Sequence, residues 1–175
     1  MKETAHSDQL KHLQLKETCL NIASLAHADQ VDKAQKPYLL HPLWVSATLS
    51  ETPYRSVLKR HMSVLSEEEK EFAQCVALLH DVIEDSPITY EDLISIYHLP
   101  NDIADAVLIL TKTKGEDYSL YLKRVKENRL ARVVKLSDLL HNSDLRRLPR
   151  VKNEDKLRRL KYLKSMLYLW NDLAY

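Results

Sequence analysis

Three short segments, far apart in the chain, carry side chains whose types and spacing could do metal chemistry. The first is Ala77-Leu78-Leu79-His80-Asp81-Val82-Ile83-Glu84-Asp85. On a helix, His80 and Glu84 share one face, as do Asp81 and Asp85, because each pair is four residues apart. The preceding apolar run predicts a helix buried on most faces, and four titratable groups at its end are costly to bury without a compensating charge. A divalent cation is such a charge, although a His-Asp pair alone is equally explained by a capping acid beside a surface histidine. The second segment is Pro37-Tyr38-Leu39-Leu40-His41-Pro42, where two prolines restrict the backbone and aim His41; by itself this could be a histidine at a helix start. In the third, Val133 to Asn142, Asp138 interrupts an apolar helical stretch, with Asn142 four residues on along the same face. An acid among Val134, Leu136, Leu139 and Leu140 needs an ionic partner or a bound cation.

The elements that must position these groups are read from apolar spacing and capping residues. Ser7-Asp8 can cap a long helix reaching about Lys33, with Leu10, Leu13, Cys19, Leu20, Ala23 and Ala26 at helical spacing. A second helix is expected over about 42–49, and the stretch 51–65 is left unassigned. Ser66 followed by Glu69 is a capping box, which opens a helix through Phe72, Val76, Leu79 and Val82 that ends before Pro87. Thr89 with Asp92 repeats the box and starts a short helix to about Tyr97. Pro100 opens the next, to about Thr111, and helices follow over about 117–127, 129–142 and 154–173. No strand-like alternation is present. The expectation is an all-α chain, with residues 1–175 forming one compact helical domain.

Composition narrows the chemistry further. Gly115 is the sole glycine, which excludes the glycine-rich phosphate loops of Rossmann and P-loop proteins. Phosphate chemistry here must rest on side chains and a metal. The net charge is +1, yet fifteen Lys and Arg stand against five Asp and Glu between Lys123 and Lys164. That excess is either a set of solvated helix faces or an electropositive wall for an anionic ligand. The apolar runs are too short to span a bilayer, and the N-terminus lacks an apolar signal core. These features predict a cytoplasmic chain, with Cys19 and Cys75 as buried thiols.

Taken together, the blocks resemble the hydrolase domain of the RelA/SpoT family, which degrades the alarmone (p)ppGpp, and its stand-alone small relatives. The resemblance rests on Ala26-His27, Lys33 and Pro37 to Pro42, then on Leu78 to Asp85 with Thr89, and finally on Val134 to Asn142. Leu110-Thr111-Lys112 is a weaker fourth match, and the blocks run in order from about residue 20 to 148. The resemblance implies the helical HD fold, with His41, His80, Asp81 and Asp138 as the four ligands of a metal, usually Mn²⁺. Mixed nitrogen and oxygen ligands with open water positions suit Mn²⁺ or another divalent ion better than structural Zn²⁺. Glu84 and Asp85 align with the acidic pair that positions and deprotonates the attacking water, Asn142 with a residue near the nucleotide sugar, and Lys33 with a basic residue of the nucleotide pocket. His27 packs, or supports the site from behind the ligands. Lys112, Arg146, Arg147 and Arg150 are further candidates for offsetting phosphoryl charge.

Two departures bear on the substrate. The family's loop before the Pro-Tyr block commonly carries an Arg, a Lys and a Ser-Gly, whereas this chain has Asp32-Lys33-Ala34-Gln35-Lys36; an acid replaces a stacking cation and the glycine is lost. After Asn142, the usual Met-Arg-Thr-Leu is replaced by a run through Ser143, Asp144 and Leu145 to Leu148. The metal chemistry is therefore expected to be intact and base recognition altered. The leading expectation is a phosphohydrolase that splits the 3′-diphosphate of (p)ppGpp to give GDP or GTP and pyrophosphate. The alternatives are an HD phosphohydrolase of another nucleotide, such as a nucleoside monophosphate or NADPH, and a nucleotide-sensing module with weak turnover. The partner is a small anionic nucleotide, with no nucleic-acid polymer and no membrane. Tyr162, Tyr168, Trp170 and Tyr175, mixed with Leu160, Leu163, Leu167 and Leu169, form a closing helix on the core or a homo-oligomer surface.

Overall fold

A computed structural model describes residues 2–50 and 55–171, with side chains described over 10–50 and 58–171. The elements in chain order are α1 (Lys2–Ala26), α2 (Leu40–Ser50), α3 (Arg55–Met62), α4 (Glu67–Leu79), α5 (Val82–Asp85), α6 (Tyr90–Ser95), α7 (Asn101–Leu110), α8 (Tyr118–Glu127), α9 (Arg129–Ser143), a 3-10 turn (Leu145–Arg147) and α10 (Asn153–Trp170). The fold is all-helical, as expected. Among the described residues the only β pairing is an isolated antiparallel bridge between Val31 and Pro37. No described helix is long and apolar enough to cross a membrane.

Three mutually packed helices, α2, α4 and α9, make the centre, with α1 and α7 also laid on α4 and α10 on α9. From Cys75 to Leu79 every residue of α4 is buried, and α9 buries Leu130, Ala131, Val133, Val134, Leu136 and Leu139. Polar stitches set the register of the three helices. Ser46 Oγ donates to the Gln74 carbonyl of α4 at 3.1 Å, and Ser137 Oγ donates to the Val45 carbonyl of α2 at 3.1 Å. Each is worth about 1 kcal/mol net, so their use is directional more than energetic.

Both expected capping boxes form: Ser66 with Glu69 at the start of α4, and Thr89 with Asp92 at the start of α6. Pro42 sits in the first turn of α2, where its missing N–H costs nothing. Cys19 and Cys75 are free and buried.

Two helices differ from the expectation. The first does not begin at Ser7-Asp8 and does not reach Lys33; it runs from Lys2 and stops at Ala26. Beyond it the chain reverses in a tight loop in which Asp32 Oδ1 accepts from the backbone N–H groups of Ala34 (2.7 Å) and Lys36 (3.0 Å). Gln35 takes the left-handed φ of +60° there. Gln30 ties the reversal down, its amide donating to the carbonyls of Ala26 (3.3 Å) and Asp85 (2.7 Å). The second difference is that the helix through Phe72, Val76, Leu79 and Val82 is not continuous. It ends at Leu79, turns at His80-Asp81 and resumes as the one-turn α5. Asp81 lies at φ −106° and ψ −2°, the sparsely populated bridge region where active-site residues are often found. The last helix closes the core with a narrow stripe: Ser165 and Leu169 are buried, whereas Leu160, Leu163, Leu167 and Tyr168 are exposed. Tyr175 lies outside the described residues.

Candidate metal centre and adjoining cavity

The three central helices meet at one point. His41 comes from the first turn of α2, His80 and Asp81 from the break after α4, and Asp138 from the middle of α9. The two imidazole Nε2 atoms lie 3.2 Å apart. Asp81 Oδ2 stands 3.0 Å from His80 Nε2 and 3.8 Å from His41 Nε2. Asp138 Oδ1 approaches the same two nitrogens, at 3.2 Å from His41 and 4.0 Å from His80. Donors bound at about 2.0–2.2 Å to one ion sit roughly 3–4 Å from one another, so the spacing of His41, His80 and Asp81 fits a transition-metal ion, with Asp138 beside the two imidazoles.

Proton placement fits as well. His80 Nδ1 lies 2.8 Å from the Ala77 carbonyl, one of the acceptors left free where α4 ends. Nδ1 therefore carries the proton and Nε2 turns its lone pair to the cluster. With protein groups alone, burial pushes the His80 pKa down, but the Asp81 and Asp138 carboxylates override it and lift it to about 9. Burial pushes Asp138 up, yet the Lys135 ammonium and the two imidazoles hold it well below the ordinary carboxylate range. Asp81 is shifted in the same direction, by His80 and His41 against burial. The residues present thus fit a divalent cation.

A ring of further side chains holds the four in place. Tyr38 Oη donates to Asp81 Oδ2 at 2.5 Å, and His27 packs a tilted ring 5.0 Å from Tyr38. Lys135 Nζ pairs with Asp138 Oδ2 at 2.8 Å. Asn142 donates from Nδ2 to Asp138 Oδ1. His141, buried and stacked on Trp44 at 4.4 Å between ring centres, places its Nδ1 2.7 Å from His41 Nδ1. Burial, reinforced by His41 and Arg147, pushes the His141 pKa down to about 3, so the ring is neutral. The sequence contained a signal for Lys135: it stands three residues before Asp138 on the same buried helix, the spacing of an ion pair.

The two remaining acids take different positions. Glu84 Oε2 accepts the backbone N–H of Lys112 at 3.0 Å, which ties α5 to the end of α7. Asp85 feels the cluster more directly. Its pKa is raised, first by partial burial and then by the Asp81 and Glu84 carboxylates, with His27 and His80 opposing.

Beside His41 opens a cavity of about 220 Å³, lined by Asp32, Lys33, Tyr38, Asn142, Asp144, Arg147, Asp155, Arg158 and Tyr162 among others. Lys33 and Asn142 therefore reach it. Lys112 and Arg146 do not. The guanidinium of Arg146 is bidentate on Asp144, at 2.8 Å for both contacts, and it lines a separate hollow with Trp44 and Arg159. Arg150 lines a neighbouring cavity that shares Lys33, Leu148, Asp155 and Arg158 with the first. Arg147 lines the pocket together with Arg158; its Nη1 is 3.9 Å from Asp32 Oδ2 and its Nη2 donates to Asn142 Oδ1 at 3.3 Å. The acid at position 32 thus faces a cation supplied by the opposite wall.

No family model matches the chain. It is similar to the bifunctional (p)ppGpp synthase/hydrolase SpoT of Escherichia coli K12, 29% identical over 178 aligned positions that take in 96% of this chain and 22% of SpoT. It is also similar to a guanosine-3′,5′-bis(diphosphate) 3′-pyrophosphohydrolase of Spiroplasma citri, 31% identical over 66% of this chain and 15% of that protein. A probable GTP pyrophosphokinase of Mycobacterium leprae is 28% identical over 84% of this chain and 18% of its own length. The chain spans about a fifth of the length of the curated relatives it matches.

Proposed function

We propose that this chain, a relative of the RelA/SpoT hydrolase domain, is a metal-dependent phosphohydrolase that converts (p)ppGpp and water to GDP or GTP and pyrophosphate. The observation that carries the reading is the convergence of His41, His80, Asp81 and Asp138 donors, 3.0–4.0 Å from one another in the measured pairs, beside a cavity that Lys33, Arg147 and Arg158 line together with Asp32, Asp144 and Asp155. A divalent ion held by these four would lower the pKa of a coordinated water and polarise a phosphoryl oxygen. Mn²⁺ suits the donor set.

The protein's own groups divide the remaining work. Tyr38 holds the Asp81 carboxylate in place through its 2.5 Å hydrogen bond. Asp85, with its pKa raised beside Asp81, is the acceptor for the water's proton. Glu84 anchors α5 through the Lys112 amide and so keeps Asp85 in reach. Lys33, Arg147 and Arg158 offset the charge of the bound nucleotide from the cavity wall.

A second reading, hydrolysis of a different nucleotide, is favoured by one observation: Asp32 lines the cavity where the resemblance leads one to expect a stacking arginine. Mn²⁺-dependent turnover of ppGpp, GTP, NADPH and deoxynucleoside monophosphates separates the two. Release of pyrophosphate from ppGpp is expected; ppGpp left intact while another member of the panel is cleaved overturns the first reading in favour of the second. Asp85→Asn should keep Mn²⁺ and lose about 10²–10⁴-fold in turnover, the usual worth of a positioned proton acceptor. Loss of bound Mn²⁺ in that variant would show that Asp85 belongs with the ligands instead.

A further inference from the structure

Arg147 is joined to the proposed metal centre by two short chains of side chains. One runs from His41 Nδ1 to His141 Nδ1 (2.7 Å) and from His141 Nε2 to Arg147 Nη1 (3.5 Å). The other runs from Asp138 Oδ1 through Asn142 to Arg147 Nη2. The rings of His41 and His141 meet through their Nδ1 atoms with centres 4.8 Å apart and planes at 20°, and Trp44 stacks on His141 with centres 4.4 Å apart, so the His141 ring is not free to turn. Arg147 keeps unused capacity: its Nε is buried without a partner, and its contact with the Asp32 carboxylate is long, at 3.9 Å.

Each nitrogen of a neutral imidazole is either a donor or an acceptor, so the proton positions along this chain are linked. A His41 that offers its Nε2 lone pair to a cation must carry its proton on Nδ1. That proton points at His141 Nδ1, which must then be bare, and the proton of the neutral His141 ring lies on Nε2. There it faces an N–H of Arg147, donor against donor. In the opposite arrangement His141 Nε2 accepts from Arg147, His141 Nδ1–H donates to His41, and His41 Nε2–H donates to Asp138 Oδ1 at 3.2 Å.

We propose that His141 is a positioning residue that couples the two sites: it accepts the Nδ1–H of His41 when His41 binds a cation, and the same tautomer releases the Arg147 guanidinium to an anionic group in the cavity. Cation and anion then bind cooperatively through one buried ring. The inference rests on the metal-binding part of the reading above and not on the identity of the nucleotide.

The test uses Mn²⁺ and inorganic pyrophosphate as probes, with titration calorimetry and the fluorescence of Trp44, whose ring lies on His141. His141→Leu should weaken Mn²⁺ binding about 10–100-fold, the range for losing an outer partner of a ligating histidine. His141→Asn keeps an acceptor oxygen near the Nδ1 position and lacks the Nε2 end. It should hold Mn²⁺ within about threefold of the parent by the same scale, yet lose at least fivefold of the increase in pyrophosphate affinity that Mn²⁺ produces in the parent. Arg147→Gln should lose that increase to the same extent. Mn²⁺ affinity unchanged in His141→Leu overturns the proposal, as does a full Mn²⁺ effect on pyrophosphate in His141→Asn. If the leucine variant fails to fold, the asparagine variant alone decides. None of these readouts requires turnover, so they stand even if ppGpp is not the substrate.

Discussion

The Tyr38 hydroxyl donates its proton to Asp81, and the bond is charge-assisted, which places it among the stronger kinds. Burial, and then the adjacent Asp81 carboxylate, hold the phenol far above its ordinary pKa, so it remains a donor at any working pH. Removing one donor from a partly buried carboxylate costs about 1.5–3 kcal/mol. Tyr38→Phe should therefore let Asp81 swing and weaken Mn²⁺ about tenfold, with little change in overall shape, because His27 still packs on the ring. Calorimetric titration of the variant measures this directly, and an unchanged affinity would mean that Asp81 is positioned by the backbone alone. The hydroxyl carried no signal in the sequence that distinguished it from any tyrosine beside a proline. Its partner is 43 residues away, and only the packing of α2 against the end of α4 brings them together.

At the scale of elements, what could be read in advance was set by local rules, and what could not was set by distant contacts. The capping boxes at Ser66 and Thr89 formed because each is complete within four residues. The four cluster residues stood out for a related reason: each is a polar group inside an apolar run, a conflict visible without coordinates. The break at His80-Asp81 was hidden because Val82 remains buried and in phase with Phe72, Val76 and Leu79, so periodicity runs straight across the turn. The early end of α1 depends on Gln30 reaching the Asp85 carbonyl, 55 residues on. Arg146 and Arg147 are neighbours on a 3-10 turn, and no pattern in three residues tells which of them faces the cavity. The loop at 32–36 offers a test of the backbone argument. Gln35 is held at φ +60°, which costs a non-glycine residue on the order of 1–2 kcal/mol. Glycine removes that cost and returns part of it as lost chain entropy, about 0.5–1 kcal/mol. Gln35→Gly should raise the melting temperature by about 1–4 °C in a chain of this size. A lower melting temperature would show that the glutamine side chain itself stabilises the turn.

Across the whole molecule, the centre that would hold the cation is also where the core is least favourable electrostatically. Asp138 and the two imidazoles sit among the buried apolar residues of α2, α4 and α9, and Asp138 pairs with Lys135, whose side chain is 17% exposed. Such a pair gains little over apolar residues of the same volume, whereas removing one partner leaves a buried charge uncompensated, at a cost of about 3–5 kcal/mol. Asp138→Leu should therefore destabilise the fold by that amount, even in the presence of a chelator. Lys135→Met added to it should restore most of the loss, since both buried charges are then gone, yet Mn²⁺ binding should not return. Burial raises the Asp138 pKa, but Lys135 and the histidines outweigh it, so the folded value lies below the ordinary one. By sign, the pair's contribution is complete above the ordinary carboxylate range and is lost only as pH falls through the lowered value. The difference between parent and single variant, measured by denaturant unfolding in chelator, should therefore be flat over about pH 5 to 6, where a carboxylate of ordinary or lowered pKa stays ionised, and should shrink as pH rises toward about 9 and His80, whose pKa Asp138 helps to lift, loses its proton. A double variant no more stable than Asp138→Leu would show that the acid supports the fold through His41 and Asn142, not through the lysine. Recovery of stability without recovery of the ion would place this charged cluster in the molecule for its chemistry, at the expense of the core that surrounds it.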